Sequence, residues 1–291
     1  MAVKLGRNDK CWCNSGKKYK SCHQAFDEKI IRFKDAGHIV PDHDMIKTPD
    51  QIAGIKESAK INIAVLDYIG EQIKEGMSTE DIDRIVLEKT TRMGGFPAPL
   101  GYQGFPKHSC TSINNQVCHG IPSEKAILKE GDIINVDIST RLNGYYSDSS
   151  RMFCIGKVSP EKERLVRVAK ECVDAGLKEV KPWNFLGDMG QAVHDHAFSN
   201  GYTIVREIGG HGIGLEFHED PWVSYNSLRG TEMLMVPGMV FTIEPMVNMG
   251  KVEIFIDEAN GWTAYTEDGK PSAQWEVQVL VTEDGYEIIS Y

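Results

Sequence analysis

The sequence has no long hydrophobic run and few cysteines. No window approaches the ~18 consecutive apolar residues that a transmembrane helix requires, so a transmembrane helix is excluded. Residues 1–20 are basic and contain no apolar segment, so we expect no secretory signal. The seven cysteines are too few and too unevenly spaced for a disulfide-stabilised fold. Together these absences predict a protein of the reducing cytosol with no membrane partner.

The composition is that of an ordinary globular protein, but its charge is unevenly spread. The 291 residues fit about two domains, or one large domain with an appendage. Hydrophobic residues make up 41% and charged residues 25%, which excludes a disordered chain. Residues 1–23 carry a net charge of +5, whereas the remaining residues carry −15. A small basic segment on an acidic body indicates two kinds of partner, and the body is not expected to bind nucleic acid.

Four soft metal ligands lie close together near the N-terminus. Cys11, Cys13, Cys22 and His23 form the pattern C-x-C-x8-C-H. This spacing fits a closed tetrahedral zinc site. Because so short a segment has no core of its own, a zinc ion would supply its folding energy. The pattern resembles the SEC-C zinc motif. We therefore assign residues 1–23 to a zinc-binding motif and residues 24–47 to a linker, with a short helix around residues 25–34.

From Thr48 onwards the chain alternates between helical and strand-like patterns. Helices are predicted over residues 48–76, 78–94, 159–177 and 185–200. Strands are expected at residues 116–120, 133–140, 145–155, 203–207, 240–247, 254–256 and 275–282. The order helix, helix, strands occurs twice, with starting points about 111 residues apart. This repetition predicts an α+β fold with pseudo-twofold symmetry.

Several carboxylates lie inside the apolar strands of the body. Asp137, Glu244 and Glu276 are each flanked by hydrophobic residues, and a buried charge needs a cation, a metal or a proton as partner. One of them alone would more simply face solvent on a half-exposed strand, but three together favour a shared cation. Asp148 follows Asp137 across an Asn-Gly hairpin turn, so both fit one face of a hairpin. Two adjacent like charges are unfavourable unless a metal lies between them.

A histidine among glycines completes the candidate ligands. His211 lies within Gly-Gly-His-Gly-Ile-Gly, where the glycines leave its imidazole accessible. Four carboxylates and one histidine are hard, oxygen-rich ligands that suit two divalent ions such as Mn, Fe or Co. Such a pair of ions activates a water molecule and polarises a carbonyl group. An iron facial triad is excluded because no histidine follows His218, and the chain contains no P-loop.

Five short motifs follow one another along the body. They are Cys-His-Gly-Ile-Pro at 118–122, the pair Asp137 and Asp148, Gly-His-Gly-Ile-Gly at 210–214, Thr-Ile-Glu-Pro at 242–245, and Gln-Trp-Glu at 274–276. In order and spacing they resemble the bacterial type I methionine aminopeptidases, and the resemblance covers about residues 48–291. It implies the pita-bread fold. Only 33 residues separate His211 from Glu244, which leaves no room for the helical insert of the type II enzymes.

The resemblance implies a role for each motif. The residues that correspond to metal ligands are Asp137, Asp148, His211, Glu244 and Glu276. Of these, Asp148 and Glu276 would bridge two ions, and Glu244 would also handle the proton of the attacking water. His119 and His218 correspond to the histidines that contact the scissile peptide and stabilise the tetrahedral intermediate.

The resemblance also implies a pocket for the methionine side chain. Its lining would be Tyr102, Phe105, Cys110, Phe217 and Trp262. Pro99 stands where many relatives carry Cys, and Phe105 stands where many carry Tyr. We therefore expect the shape of the pocket to differ while the reaction stays the same. A monovalent-cation site is implied near the backbone of Asn114, Gln116 and Ser272.

We therefore expect a cytoplasmic methionyl aminopeptidase that removes the initiator methionine of nascent polypeptides when the second residue is small. A proline-specific aminopeptidase of the same fold is disfavoured, because residues 1–47 are too short for the N-terminal domain of those enzymes. A non-catalytic binding protein on this scaffold is also disfavoured, because all five ligand positions hold the expected residue types. Nascent N-termini are the expected partners. Residues 1–23 are expected to dock on the ribosome, and sequence-specific nucleic-acid binding is not expected.

Overall fold

The computed structural model describes residues 5–291. The helices are α1 (Gln24–Asp35), α2 (Pro49–Gln72), α3 (Thr79–Arg92), α4 (Pro160–Leu177) and α5 (Leu186–Ser199). The strands are β1 (Phe96–Pro97), β2 (Cys110–Ile113), β3 (Gln116–Cys118), β4 (Ile133–Leu142), β5 (Tyr145–Cys154), β6 (Thr203–Ile204), β7 (Gly210–Gly212), β8 (Glu219–Val223), β9 (Val240–Ile243), β10 (Met246–Asn248), β11 (Ile254–Ile256), β12 (Ala264–Thr266), β13 (Ser272–Gln274), β14 (Val277–Val281) and β15 (Tyr286–Ser290). None of the described helices is long and apolar enough to cross a membrane.

The helices of the body begin where the sequence predicts them. At the start of α2, the Thr48 hydroxyl accepts a hydrogen bond from the backbone of Gln51, whose side chain in turn accepts one from the Thr48 backbone. Ser78 and Asp81 form the same reciprocal cap on α3, and the Ser159 hydroxyl caps α4. These caps satisfy backbone N–H groups that the first turn of a helix leaves unpaired. The predicted helices are confirmed, with ends that shift by a few residues.

Each half of the body consists of a helix pair packed on a sheet. In the first half, β4 pairs with β5 on one edge and with β1 and β2 on the other. Residues of α2 and α3 share a buried cluster with β4, represented by Leu66, Val86 and Val136. In the second half, α4 and α5 share a cluster with the five-stranded sheet β15-β14-β9-β7-β8. The arrangement confirms the predicted α+β fold with two similar halves.

The two halves meet at the middle of the molecule. Ser150 on β5 and Glu276, between β13 and β14, exchange backbone hydrogen bonds of 3.4 and 3.2 Å. This bridge brings the inner strands of the first sheet against those of the second. Carboxylates that lie more than 100 residues apart in the chain therefore meet at one place.

Several short strands were not predicted. They include β2, β7, β8, β12, β13 and β15, which contain three to five residues each. Strand β7 reads Gly-His-Gly, and β8 contains Asp and Pro, residues that intrinsic preference excludes from strands. Pairing with neighbouring strands, rather than local sequence, holds them extended.

The segment 24–47, assigned to a linker, is packed on the body. It contains α1, as predicted for residues 25–34. Ile30 of α1 and Ile46 belong to the buried cluster of the second half. Phe26 contacts Trp183 of the body, with ring centroids 5.5 Å apart. The N-terminal motif is therefore attached through an apolar contact and not through a free tether.

Candidate active site

The hairpin of β4 and β5 places two aspartates on one face. Asp137 lies opposite Ser150, and Asp148 lies opposite Ser139, so the two aspartates are diagonal neighbours. Residues so related share one face of the sheet. The Ser139 hydroxyl donates a hydrogen bond of 2.9 Å to one oxygen of Asp148 and orients that carboxylate. The two aspartates therefore lie on the same face of the hairpin, as the Asn-Gly turn predicted.

His211 lies on β7 with one ring nitrogen directed at the carboxylates. Its Nδ1 donates to the carbonyl of Gly212 at 2.9 Å. This bond fixes the tautomer that leaves a lone pair on Nε2, which is the arrangement of a metal-binding histidine. Nε2 lies 3.9 Å from an oxygen of Asp148 and 3.6 Å from an oxygen of Glu244.

Glu244 and Glu276 close the cluster from the second half of the molecule. Glu244 follows β9, and its two oxygens accept hydrogen bonds from Thr242 at 2.8 Å and from Gln274 at 3.0 Å. Glu276 is buried, and its Oε2 has no hydrogen-bond partner among the described residues. A buried carboxylate oxygen without a donor is costly. A cation is the simplest group that would satisfy it.

The electrostatics of the cluster call for positive charge. Burial raises the pKa of Asp137 from 3.8 to about 7 and that of Glu244 from 4.5 to about 8. Burial, and then repulsion from neighbouring carboxylates, raises the pKa of Asp148 and Glu276 well above their usual values. Ligand atoms of Asp148, His211 and Glu276 lie within 4.8 Å of one another. The donor set therefore fits divalent cations, which would restore the charged form of every carboxylate.

Two further histidines lie beside the cluster. The ring of His218 stacks on Tyr102 at 4.8 Å and lies 4.0 Å from the ring of His211. Desolvation and the nearby His211 lower the pKa of His218, and burial lowers the pKa of His119. His119 also adopts a φ of 55°, a conformation that is rare outside glycine and asparagine and often marks a functional position. Both rings are neutral near pH 7, so each offers one N–H donor.

The cluster forms the floor of a cavity of about 630 Å³. All the predicted pocket residues line it, namely Tyr102, Phe105, Cys110, Phe217 and Trp262, and so do His119 and His218. Phe105 and Trp262 meet edge to face at 5.2 Å. Pro99, the position that departs from many relatives, lines the cavity as well. The structure therefore brings together every residue predicted for the catalytic site.

Sequence reasoning missed some residues that shape the site. Ser139 and Thr242 each donate a hydrogen bond to a proposed ligand carboxylate and orient it. The signal that could have identified them is a polar residue two positions away from a buried carboxylate in an otherwise apolar strand. Three rim residues, Ile208, Asp220 and Trp222, also line the cavity. No sequence signal identified them, and Asp220 and Trp222 reach the cavity only through the pairing of β7 with β8.

The N-terminal cysteines form a second, separate cluster. The potential ligand atoms of Cys11, Cys13, Cys22 and His23 all lie within 4.8 Å of one another. The sulfurs of Cys13 and Cys22 are 3.6 Å apart, and Nδ1 of His23 lies 3.1 Å from the sulfur of Cys11. One ion with bonds of about 2.1–2.3 Å spans such separations. The cluster therefore fits a zinc site.

The residues implied in a monovalent-cation site also meet. The backbone N–H of Ser272 donates to the carbonyl of Asn114 at 2.8 Å, and the side chain of Gln116 accepts from the backbone of Ile113. The ammonium group of Lys162 lies 2.8 Å from the side-chain oxygen of Asn114. A cation site at this place stays a prediction.

Comparison with known families identifies both parts of the chain. Metallopeptidase family M24 matches residues 53–283, and the SEC-C motif matches residues 7–25. The chain belongs to metallopeptidase family M24. Its body is thus a metallopeptidase that uses divalent metal ions, and its fold is the pita-bread fold of that family. The resemblances seen in the sequence are confirmed.

Individual relatives show which members of the family the chain is similar to. A protein of Chlamydia pneumoniae named methionine aminopeptidase is 40% identical over 290 residues, which cover 98% of this chain and 99% of that protein. The crystal structure of methionine aminopeptidase from Rickettsia prowazekii superposes with a TM-score of 0.83, at 39% identity, over 84% of this chain and 99% of that chain.

A proline-specific relative is more distant. The crystal structure of X-Pro aminopeptidase from Thermotoga maritima MSB8 has a TM-score of 0.68 at 23% identity, over 86% of this chain but only 62% of that chain. This likeness shows the shared fold alone. The comparisons therefore do not favour the alternative of a proline-specific peptidase.

Proposed function

We infer that the protein is a metal-dependent methionyl aminopeptidase, a hydrolase that releases the N-terminal methionine of polypeptides. The observation that carries this conclusion is the placement of a carboxylate and histidine cluster on the floor of an apolar cavity. Full-length relatives at about 40% identity, named methionine aminopeptidase, support the same conclusion. New polypeptides with free N-termini are the substrates.

We propose that Asp137, Asp148, His211, Glu244 and Glu276 hold two divalent ions, with Asp148 and Glu276 between them. Ions held in this way would act as Lewis acids and lower the pKa of a water molecule. Glu244 is placed to accept the proton of that water, because the ions would keep its carboxylate ionised and hydrogen bonds from Thr242 and Gln274 hold it at the cavity.

The two neutral histidines would act on the peptide bond. His119 and His218 each present one N–H to the cavity, where a donor can stabilise the negative charge that develops on the carbonyl oxygen. The stack on Tyr102 holds the ring of His218 in place before the substrate arrives, so the ring loses little orientational freedom when the substrate binds.

Selection of methionine would depend on the apolar wall of the cavity. Tyr102, Phe105, Cys110, Phe217 and Trp262 offer a flexible thioether a mainly aromatic surface. The residue after methionine must be small to fit beside the metal ligands. Phe105 lacks a phenolic hydroxyl, so this side of the pocket offers no hydrogen bond from that position.

The proposal is tested by measuring metal content together with methionine release. Met-Ala-Ser should be cleaved, Met-Leu-Ser should be cleaved much more slowly, and Ala-Pro-Ser should resist. Titration with Fe, Mn, Co and Zn would identify the effective metal and the number of ions. Cleavage of Ala-Pro-Ser in preference to Met-Ala-Ser would establish the proline-specific alternative, and bound metal without any cleavage would establish a binding protein.

We propose that the N-terminal cluster binds one zinc ion and that the basic segment around it docks on the ribosome. Lys17, Lys18 and Lys20 are exposed and lie between Cys13 and Cys22. Lys10 and Lys18 are opposite each other in a short antiparallel bridge. Like charges so placed repel each other, and an anionic surface such as ribosomal RNA would relieve the repulsion. This partner supports a cytoplasmic location.

Charge reversal tests the docking proposal better than deletion does. Deleting residues 1–40 would remove Ile30 from the buried core, so lost activity would have two causes. The triple variant Lys17→Glu, Lys18→Glu, Lys20→Glu keeps the core intact. It should lose co-sedimentation with ribosomes at low salt and keep activity on free peptides. The matched control reverses three exposed lysines of the body, Lys125, Lys129 and Lys178. Equal co-sedimentation of both variants would refute the proposal.

A further inference from the structure

Strand β8 forms one side of the cavity mouth. Exposed and buried residues alternate along it, with Asp220 and Trp222 exposed and Pro221 and Val223 buried. Asp220 and Trp222 therefore share one face of the strand, and both line the cavity. Neither has a part in the proposed metal site or in the contacts to the scissile bond.

The indole of Trp222 is held in a defined place although it is open to solvent. Trp222 lies directly opposite His211 in the pairing of β7 with β8, so the Cα atoms of the two residues are about 5 Å apart. A Cβ atom added to Gly209 would come within 3.0 Å of the indole, so the ring rests against the bare backbone of that glycine. Yet 52% of the Trp222 surface is exposed. A large aromatic surface is thus presented beside the reaction centre.

Asp220 supplies negative charge to the same place. Among the carboxylates that line the cavity, four are the proposed metal ligands, and Glu219 pairs with Lys47 at 2.8 Å. Asp220 makes no ion pair with any residue in the range 5–291. The cavity lining over that range contains no Lys or Arg. An exposed indole beside an unpaired carboxylate is a suitable site for a cationic side chain.

The spacing indicates which substrate residue would reach this site. An extended peptide advances about 3.3 Å per residue, so the third residue lies about 7 Å beyond the first. Trp222 is one strand away from the metal ligand His211, and its side chain spans the remaining distance. The second residue is too close to the metal ligands to use the rim.

We propose that Trp222 and Asp220 form a subsite that favours Lys or Arg as the third residue of the substrate. This proposal rests on the aminopeptidase function proposed above and adds a second level of selection to it. The indole would contact the cation through its ring face, and the Asp220 carboxylate would add a charge–charge attraction that salt weakens.

The test compares kcat/KM for peptides Met-Ala-X-Ser in which X is Lys, norleucine or Glu. Norleucine keeps the aliphatic chain of Lys and lacks the ammonium group. For the wild-type enzyme, Lys should exceed norleucine by about threefold to tenfold, and Glu should be the poorest. Trp222→Ala should reduce the Lys preference and leave only a salt-sensitive part, Asp220→Asn should remove that salt-sensitive part, and the double variant should bring Lys and norleucine to equal values. The ratio within each variant is independent of any general loss of folded enzyme.

Phe198→Ala is the matched control, because Phe198 is an exposed aromatic residue on α5 that does not line the cavity. It should keep the wild-type ratio. If the wild-type enzyme cleaves all three peptides equally, or if norleucine exceeds Lys, the subsite does not select cations and the proposal is overturned. If none of the peptides is cleaved under any metal condition, the proposed aminopeptidase function fails instead.

Discussion

The two candidate metal sites of this protein differ in how their ligands are distributed along the chain. The N-terminal site takes Cys11, Cys13, Cys22 and His23 from one short segment. The catalytic site takes its ligands from β4, β5, β7 and the segments after β9 and β13, over 140 residues from Asp137 to Glu276. We expect the first site to need its proposed zinc ion for its local structure, whereas the ligands of the second are brought together by the fold.

The two sites differ in whether the ion or the rest of the fold supplies the free energy that stabilises them. A short segment without a core gains its folded structure from the ion itself. A buried carboxylate cluster instead loses stability when the ion is absent, because like charges are brought together in a desolvated place. We therefore expect metal removal to unfold the first site locally and to leave the second folded but strained by repulsion.

The largest effect is expected from Asp148→Asn. It should lower kcat/KM by at least about 10³-fold and reduce the bound divalent metal, since Asp148 is proposed to contact both ions. The fold should survive, because relief of carboxylate repulsion offsets the lost ligand bonds. Methionine release, metal analysis and circular dichroism measure the three effects. Wild-type activity in this variant would contradict the paired-metal site.

The variant His218→Ala tests whether His218 binds a metal ion or only contacts the substrate beside the metal ligands. The variant should keep its metal and lose roughly 10²–10³-fold in kcat, with a smaller change in KM, if His218 stabilises the developing oxyanion. Steady-state kinetics and metal analysis of the same sample provide the measurement. Loss of metal would place His218 among the ligands and would extend the catalytic cluster.

The repulsion in the catalytic cluster predicts an unusual pH dependence for the metal-free protein. The folded-state pKa of Asp137 is raised to about 7 and that of Glu244 to about 8. Below about pH 6.5 the buried neutral histidines oppose this effect, because they take up protons only on unfolding. Above that pH the folded protein holds more protons than the unfolded chain up to about pH 8, and stability falls as pH rises through this window. Thermal denaturation in a chelator should show a declining Tm from about pH 6.5 to pH 8. A Tm that rises over this window would show that the carboxylates are not buried together.

The smallest effect on catalysis is expected from Cys13→Ser. This variant should lose the proposed zinc ion but change kcat/KM on short peptides by less than about twofold, because the catalytic ligands come from a separate part of the fold. Cys154→Ser, which removes an exposed cysteine at the end of β5, is the control. A large loss of activity in Cys13→Ser alone would show that the two sites are coupled through α1.

The sequence revealed the two sites to different degrees. The N-terminal cluster was predicted from residue types and spacing, because all its ligands are local. For the body, burial arguments led to Asp137, Glu244 and Glu276 as candidates, but their individual roles came from a family resemblance. Long helices with caps, such as α2 after Thr48, were predicted because local preference and packing agree.

The elements that escaped prediction depend on long-range pairing. Strand β7 is a Gly-His-Gly segment that becomes a strand only because β8 and β9 lie on either side of it. The rim formed by Trp222 likewise requires the register of β7 with β8. The contact between Phe26 and Trp183 joins residues more than 150 positions apart, so the segment 24–47 looked like a linker. Each case involves partners that local patterns cannot identify.

The distribution of the ligands also has a consequence in time. Glu276 lies 253 residues further along the chain than His23. At synthesis rates of about 5–20 residues per second, the cysteine cluster of a growing chain is available some 13–50 s before the last catalytic ligand is made. For the first 160 residues of that interval, until Trp183 is made, α1 lacks the Trp183 surface on which it packs in the finished protein. The four N-terminal ligands of each new molecule are therefore in place before its catalytic centre is complete, and activity requires that the strands around Glu276 have been made.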